Sequence, residues 1–175
     1  NESNLMKTWG EKRKKGIEEN HKWIQPDVIK AMPDDELIKR YLKYYNSNVG
    51  DKQNLIKLQR DRIIRNVNQF RKTIYNLFDE SIDIKERVNE ILNGGYKING
   101  FGRGILTAFL SDFNPNKYCA WNHKTEMGFE VLGWKAGDRG NSKGEIYEKV
   151  LTLLNKIRQL RPDLNMTLDN VDAFL

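Results

Sequence analysis

Glycine stands at three alternate positions, Gly100, Gly102 and Gly104, in KINGFGRGILTAFL, residues 97–110, and an apolar helical pattern starts at once. Glycine permits positive φ and the close approach of another backbone. Consecutive N–H groups in such a turn form a concavity for an anion, reinforced by the N-terminus of the following helix. A phosphate there would meet the amides of Gly100 to Gly104, with charge added by Arg103 and Lys97. The same turn can serve simply as a cap between two helices. Neither a dinucleotide fold nor a P-loop fits, because no strand precedes the glycines and no Lys-Ser/Thr pair follows them.

A second group of candidates lies at YCAWNHKTEMGFEVLGW, where Trp121, Asn122, His123 and Lys124 precede Trp134. Asn122 is read as a helix N-cap that can also face a base edge. Trp121 and Trp134, with Tyr118, can stack on a base or fill the core. His123 can bond a phosphate or stand in solvent. Asp112 and Glu126 can be drawn as an acid pair with a catalytic role, but nothing in the sequence sets their separation, and solvated surface carboxylates are far commoner.

The elements that must position these residues read as helices throughout. Pro26 and Pro33 suit first helical turns. The stretch PDDELIKRYLKYY carries acids first and bases later, as the helix dipole favours. One long helix is expected over Lys52 to Asp79, burying Leu55, Ile56, Ile63, Val67, Phe70, Ile74, Leu77 and Phe78. Its other face would carry Lys57, Arg60, Arg65, Arg71 and Lys72 as a secondary basic surface. From Lys52 to Lys72 there are seven bases and one acid. Asp83 with Glu86 predicts a capping box, and Gly94 or Gly95 a left-handed C-cap. Helices are further expected up to Phe113, from Asn122 to a stop at Gly133, across EIYEKVLTLLNKIRQL, and after Thr167.

The whole chain has 175 residues, enough for one domain with a real core, and residues 1–20 read as a basic leading helix or arm. Its net charge of +6 permits a polyanionic partner without demanding one. Cys119 is the only cysteine, so no intramolecular disulfide or cysteine-based zinc site can form. His21 and His123 alone make a metal centre improbable, and no cofactor is expected. A reducing, cytoplasmic location without a membrane span or signal peptide is the expectation. The start at Asn1 suggests a piece of a longer protein.

ILNGGYKINGFGRGILTAFL resembles a helix-hairpin-helix, the non-specific clamp of the DNA backbone. The following YCAWNHKTEMGFEVLG is similar to the segment after the hairpin in the helix-hairpin-helix DNA glycosylases, so the likeness spans residues 83–133. On that likeness the strand-cutting lysine position holds Gly104, and the catalytic aspartate position holds Asn122. Asparagine carries no charge to set against a cationic sugar. No catalytic residue is therefore carried over, and a repair enzyme would need a displaced acid such as Glu126.

A wider resemblance covers RDRIIRNVNQFRKTIYNLFDE, the segment from Ile98 to Trp134, and TLDNVDAFL. These stretches are similar to helical N-terminal modules of McrB-like restriction ATPases. That resemblance implies DNA recognition for a downstream ATPase or nuclease domain in a longer chain. The expectation is an all-α single domain, 1–175, with a central helix-hairpin-helix that binds DNA in a restriction or defence system. A helical protein-interaction module, with its basic face serving solubility, is the alternative from another class.

Overall fold

The computed structural model describes residues 11, 15–46 and 57–175, and the fold is all-α. The described residues contain nine bounded α-helices, one 3-10 turn and no strand. In chain order these are α1 (Pro26–Ala31), α2 (Asp34–Tyr44), α3 (Lys57–Ile64), α4 (Val67–Phe78) and α5 (Ile84–Leu92). They are followed by α6 (Arg103–Phe113), α7 (His123–Val131), α8 (Lys143–Leu160), the 3-10 turn Pro162–Leu164, and α9 (Leu168–Phe174). Residues 15–21 are also helical. Most of the expected leading arm, and Leu55 and Ile56, lie outside the described residues. No described helix is long and apolar enough to cross a membrane.

α6 is the centre of the fold. Every residue from Gly104 to Asp112 is buried, so this helix needs neighbours all round. Phe109 meets the rings of Trp23, Tyr44, Phe70, Phe78 and Phe101 at centroid distances of 4.3–6.5 Å. Aromatic pairs at such distances add to the burial of their area.

The polar groups on this buried helix are matched from far along the chain. Asn20 Nδ2 donates to Asp112 Oδ2 at 3.1 Å, and Ser111 Oγ donates to Asp169 Oδ1 at 2.6 Å. Thr107 Oγ1 donates to the Arg103 carbonyl and accepts the Trp121 N–H, both at 2.8 Å. Buried polar groups are costly unless bonded in this way.

α5 makes its broadest contact with α8 and also touches α4. Gly144, in the first turn of α8, lets the two backbones meet. A Cβ there would stand 2.1 Å from the Lys85 carbonyl oxygen. Asn89 bridges the same junction, accepting the Gly144 N–H at 2.9 Å and donating to Ser142 Oγ at 3.2 Å.

The expected helix over Lys52 to Asp79 is corrected to two, α3 and α4. Asn66 has an extended backbone and its side chain accepts the Gln69 N–H at 3.0 Å, so it caps a new helix. Two other expectations change. Asp83 does cap α5, but it accepts from the Lys85 N–H instead of closing a box with Glu86. Gly94 and Gly95 do not take positive φ. The Glu90 carbonyl accepts from the N–H groups of Gly94 and Tyr96, and the Glu90 carboxylate accepts from Gly95.

The other ends fall where the sequence puts them. Asn122 caps α7 within a full capping box with Thr125. Gly133, at φ 71°, stops that helix, with Trp134 N–H bonded to the Phe129 carbonyl at 2.8 Å. Thr167 caps α9.

Candidate nucleic-acid interface

Helix, turn and helix follow one another as α5, Asn93–Gly102 and α6. The turn lies along α4, held by Thr73 Oγ1 donating to the Tyr96 carbonyl at 2.9 Å and by Gln69 Nε2 at 3.4 Å from the Gly95 carbonyl. Gly100 is the residue that needs to be glycine, at φ 92°. Gly102 is an extended N-cap with φ −83° and open space around it, and Gly104 is buried in the first turn of α6.

The expected row of five phosphate-facing amides is not formed as drawn from sequence. The Phe101 N–H bonds the Ile98 carbonyl, and the Gly102 N–H bonds the Gly100 carbonyl, both at 3.0 Å. These donors close the turn on itself, and the Phe101 ring anchors it in the core.

Arg103 also points elsewhere. Its guanidinium forks onto Glu126, with Nη1 to Oε1 at 2.5 Å and Nη2 to Oε2 at 2.9 Å. It also lies 4.6 Å from the ring centre of Trp121. Trp121 is fully buried, donates its indole N–H to Glu126 at 3.2 Å, and stacks near Tyr147 at 6.0 Å. No base can reach that ring. The pairing with Arg103 holds the Glu126 carboxyl below its ordinary range. Both oxygens of this acid are occupied, so the geometry gives the displaced-acid reading no support.

A depressed carboxylate stabilises the fold above the unfolded pKa and loses that contribution as pH falls through the folded value. Glu126→Gln should therefore cost about 1 kcal/mol at neutral pH, allowing for partial solvent screening. The gap to the parent should close as pH drops below about 4. Thermal melts of both proteins across that range check it. A gap that does not change with pH would remove the ion pair from the account.

Asn122 Oδ1 accepts the N–H groups of Lys124 and Thr125, at 2.7 and 3.3 Å, which commits that oxygen to the cap. His123 and Lys124 are exposed on the first turn of α7, and Trp134 is half-buried against the core. None of these residues lines the recess beside the α3–α4 junction, where Lys97 lies on the turn.

The break between α3 and α4 splits the expected basic face. Arg60 pairs with Asp61 at 2.7 Å and also donates to Asn46 Oδ1 at 3.0 Å. Arg71 is tied to the Ile29 carbonyl and pairs with Asp34 at 2.6 Å. Arg65 and Lys72 are exposed, and the Lys57 side chain lies outside the described residues.

The same break builds something the sequence did not show. A cleft of about 240 Å³ opens where the turn meets the α3–α4 junction. Arg62, Arg65 and Lys97 line it with no acid among them. Asn66, Gln69 and Asn99 add polar groups, and Ile63 and Ile98 form apolar wall. Arg62, Arg65 and Lys97 are exposed and have no ion-pair partner among the described residues.

Three cations facing one opening repel each other unless an anion joins them, and arginine forks suit phosphate oxygens. Arg62, Asn66, Gln69 and Asn99 were missed because the turn that carries Lys97 and Asn99 meets the α3–α4 junction only in the tertiary fold, 30 or more residues along the chain. The usable signal was Asn66 three residues before Gln69, a cap pattern in the middle of an apolar stripe.

Fold and cleft together define an all-helical domain with a cationic recess at a helix break. Compared with known protein families, characterised proteins and solved structures, the chain matches none.

The remaining chemical groups read as structural. No described group of three or more His, Cys, Asp or Glu residues is arranged to hold a metal ion. Cys119 is buried, and burial pushes its thiol well above the ordinary range, so it is a poor nucleophile.

Proposed function

We propose that this chain binds DNA through the phosphate backbone, as the recognition module of a restriction or defence protein. The observation that carries the DNA reading is the cleft at the α3–α4 junction, lined by Arg62, Arg65 and Lys97 with no acid in its lining. The hairpin turn contributes Lys97 and Asn99 to it, while its glycines shape the turn. Contacts of this kind position a protein on DNA without reading sequence. The restriction or defence context rests on the resemblance of the helical stretches alone.

Fluorescence anisotropy with a labelled duplex across a salt series tests the reading. Each phosphate contact contributes about 0.9 to the slope of log affinity against log salt. Replacing Arg62, Arg65 and Lys97 by Gln should lower the slope by about two to three and the affinity by about tenfold or more. A triple variant that binds like the parent overturns the cleft as the site. An absence of salt-dependent binding by the parent overturns the function.

One feature favours a second reading, a helical protein-interaction module. α7 and its C-terminal end expose Met127, Val131 and Leu132, with Val131 at 85%. Single exposed apolar residues are ordinary, but three within one helical turn and a half form a patch. Failure of DNA binding together with self-association at micromolar concentration would select that reading.

A further inference from the structure

We infer that the strand held at this cleft continues single-stranded along the outer side of α4, where Lys72 takes a second phosphate and Tyr75 carries a base. This rests on the DNA reading above and adds the form of DNA that the site takes.

Asn68, Lys72 and Tyr75 stand at i, i+4 and i+7 on α4, so they share one face and span about 10 Å of its axis. All three are exposed. The flanks of that face are already committed. On one side Gln69 and Thr73 meet the carbonyls of Gly95 and Tyr96 in the turn. On the other side Arg71 is tied to Ile29 of α1 and to Asp34 of α2. The exposed strip between them starts at the cleft residue Arg65 and ends at Tyr75.

Charge along the strip has one sign. Residues 66 to 78 contain no Asp or Glu. The acids Asp34 and Asp61 are paired with Arg71 and Arg60, and the Asp79 carboxylate at the C-terminal end of the strip accepts from the Ser81 N–H and hydroxyl. Lys30 of α1 adds a cation over one face of the Tyr75 ring, with its Nζ 6.0 Å from the ring centre, so a base stacks on the other face.

Tyr75 is the feature that distinguishes a single strand from a duplex. At 39% exposure it is the aromatic side chain most open to solvent among the large hydrophobic residues of the described fold. Tyr41, Tyr44, Tyr45, Tyr118 and Tyr147 are all buried. An exposed ring bordered by lysines is the combination that single-strand binders use, because every unpaired base has a face to stack while the lysines follow the backbone. Bases inside a duplex already stack on each other and offer no such face. The outer side of one helix is also narrow, which suits one strand.

The test compares a blunt duplex with the same duplex carrying a short thymidine overhang, by fluorescence anisotropy at constant salt. The parent should bind the overhang form about tenfold more tightly, the worth of one stacked base. Tyr75→Ala should abolish that gain and leave blunt-duplex affinity unchanged, and Tyr75→Phe should keep it. Lys72→Gln should flatten the salt slope for the overhang form by about 0.7, as for one single-strand phosphate. Circular dichroism establishes that each variant is folded. Equal affinity of the parent for both forms, or a full gain in Tyr75→Ala, overturns this inference alone. Binding of neither form overturns it together with the DNA reading.

Discussion

Gly144→Ala should lower the thermal midpoint by about 10 °C, the largest effect expected from adding a single methyl group to this fold. The added Cβ would meet the Lys85 carbonyl oxygen at 2.1 Å and the Lys85 carbonyl carbon and Cα at 2.7 Å. These are backbone atoms, so no rotamer change relieves the clash. α8 must move off α5, and this is the broadest contact between helices in the described fold. The move also pulls Asn89 from the Gly144 N–H and from Ser142. Overpacking typically costs 1–3 kcal/mol, and a backbone clash belongs at the top of that range, about 3 kcal/mol. For a chain of this size that is about 10 °C. Gly102→Ala is the control, since its Cβ would have nothing within 4 Å and its φ is −83°. It should stay within about 1 kcal/mol of the parent. Equal midpoints for the two variants would show that α5 and α8 do not meet as described.

Arg87→Met should cost about 3 kcal/mol by chemical denaturation. Arg87 is 2% exposed, and its guanidinium donates to the Leu77 carbonyl at 2.6 Å and to the Tyr118 hydroxyl at 2.9 Å. The Leu77 carbonyl is one of the last in α4, with no intrahelical donor to replace the arginine. Leaving such an acceptor buried and unmatched costs about 1–3 kcal/mol, and removing the fork also loses its packing over the Tyr118 ring, 5.7 Å away. Lysine should restore little of this, because it cannot bond both oxygens in one plane. The outer arm of the same chain of contacts should matter far less. Lys117 pairs with Glu80 at 2.8 Å but is half-exposed, so Lys117→Ala should cost under about 1 kcal/mol. A small loss for Arg87→Met would mean that water satisfies the Leu77 carbonyl.

Local signals were legible in the sequence where one residue decides the outcome. Asn122 and Thr167 cap their helices, Gly133 stops α7 with positive φ, and Pro26 opens α1. The apolar stripe from Ile63 to Phe78 is real even though the helix carrying it breaks. The break escaped because no Pro or Gly marks it. Only the Asn66 side chain, bonding three residues on, tips the backbone out of the helix.

The site was less legible. Lys97 stands on the turn and does line the cleft, but it joins Arg62 and Arg65 only because the turn packs back onto the α3–α4 junction, more than 30 residues earlier in the chain. Arg103 and Trp121 looked like ligand groups by type. Their pairing with Glu126, 23 and five residues away, is a tertiary fact that no local pattern encodes. The glycines presented a similar ambiguity. Alternate spacing suggested a ring of open amides, whereas two of those amides are used within the turn.

The polar matches on α6 also bear on how the chain reaches this fold during synthesis. Asp112 is joined to Asn20, 92 residues earlier, and Ser111 to Asp169, 58 residues later. A nascent chain that has released only its first two thirds holds α6 with one flank still open. Its buried serine then has water in place of its carboxylate, and Leu168 and Val171 have not yet covered the core. Contacts this distant close late, because the intervening chain must first be ordered. Native protection of α6 is therefore completed only once α9 has cleared the ribosome, and until then a helix whose residues Gly104 to Asp112 are all buried in the finished fold keeps one flank in water.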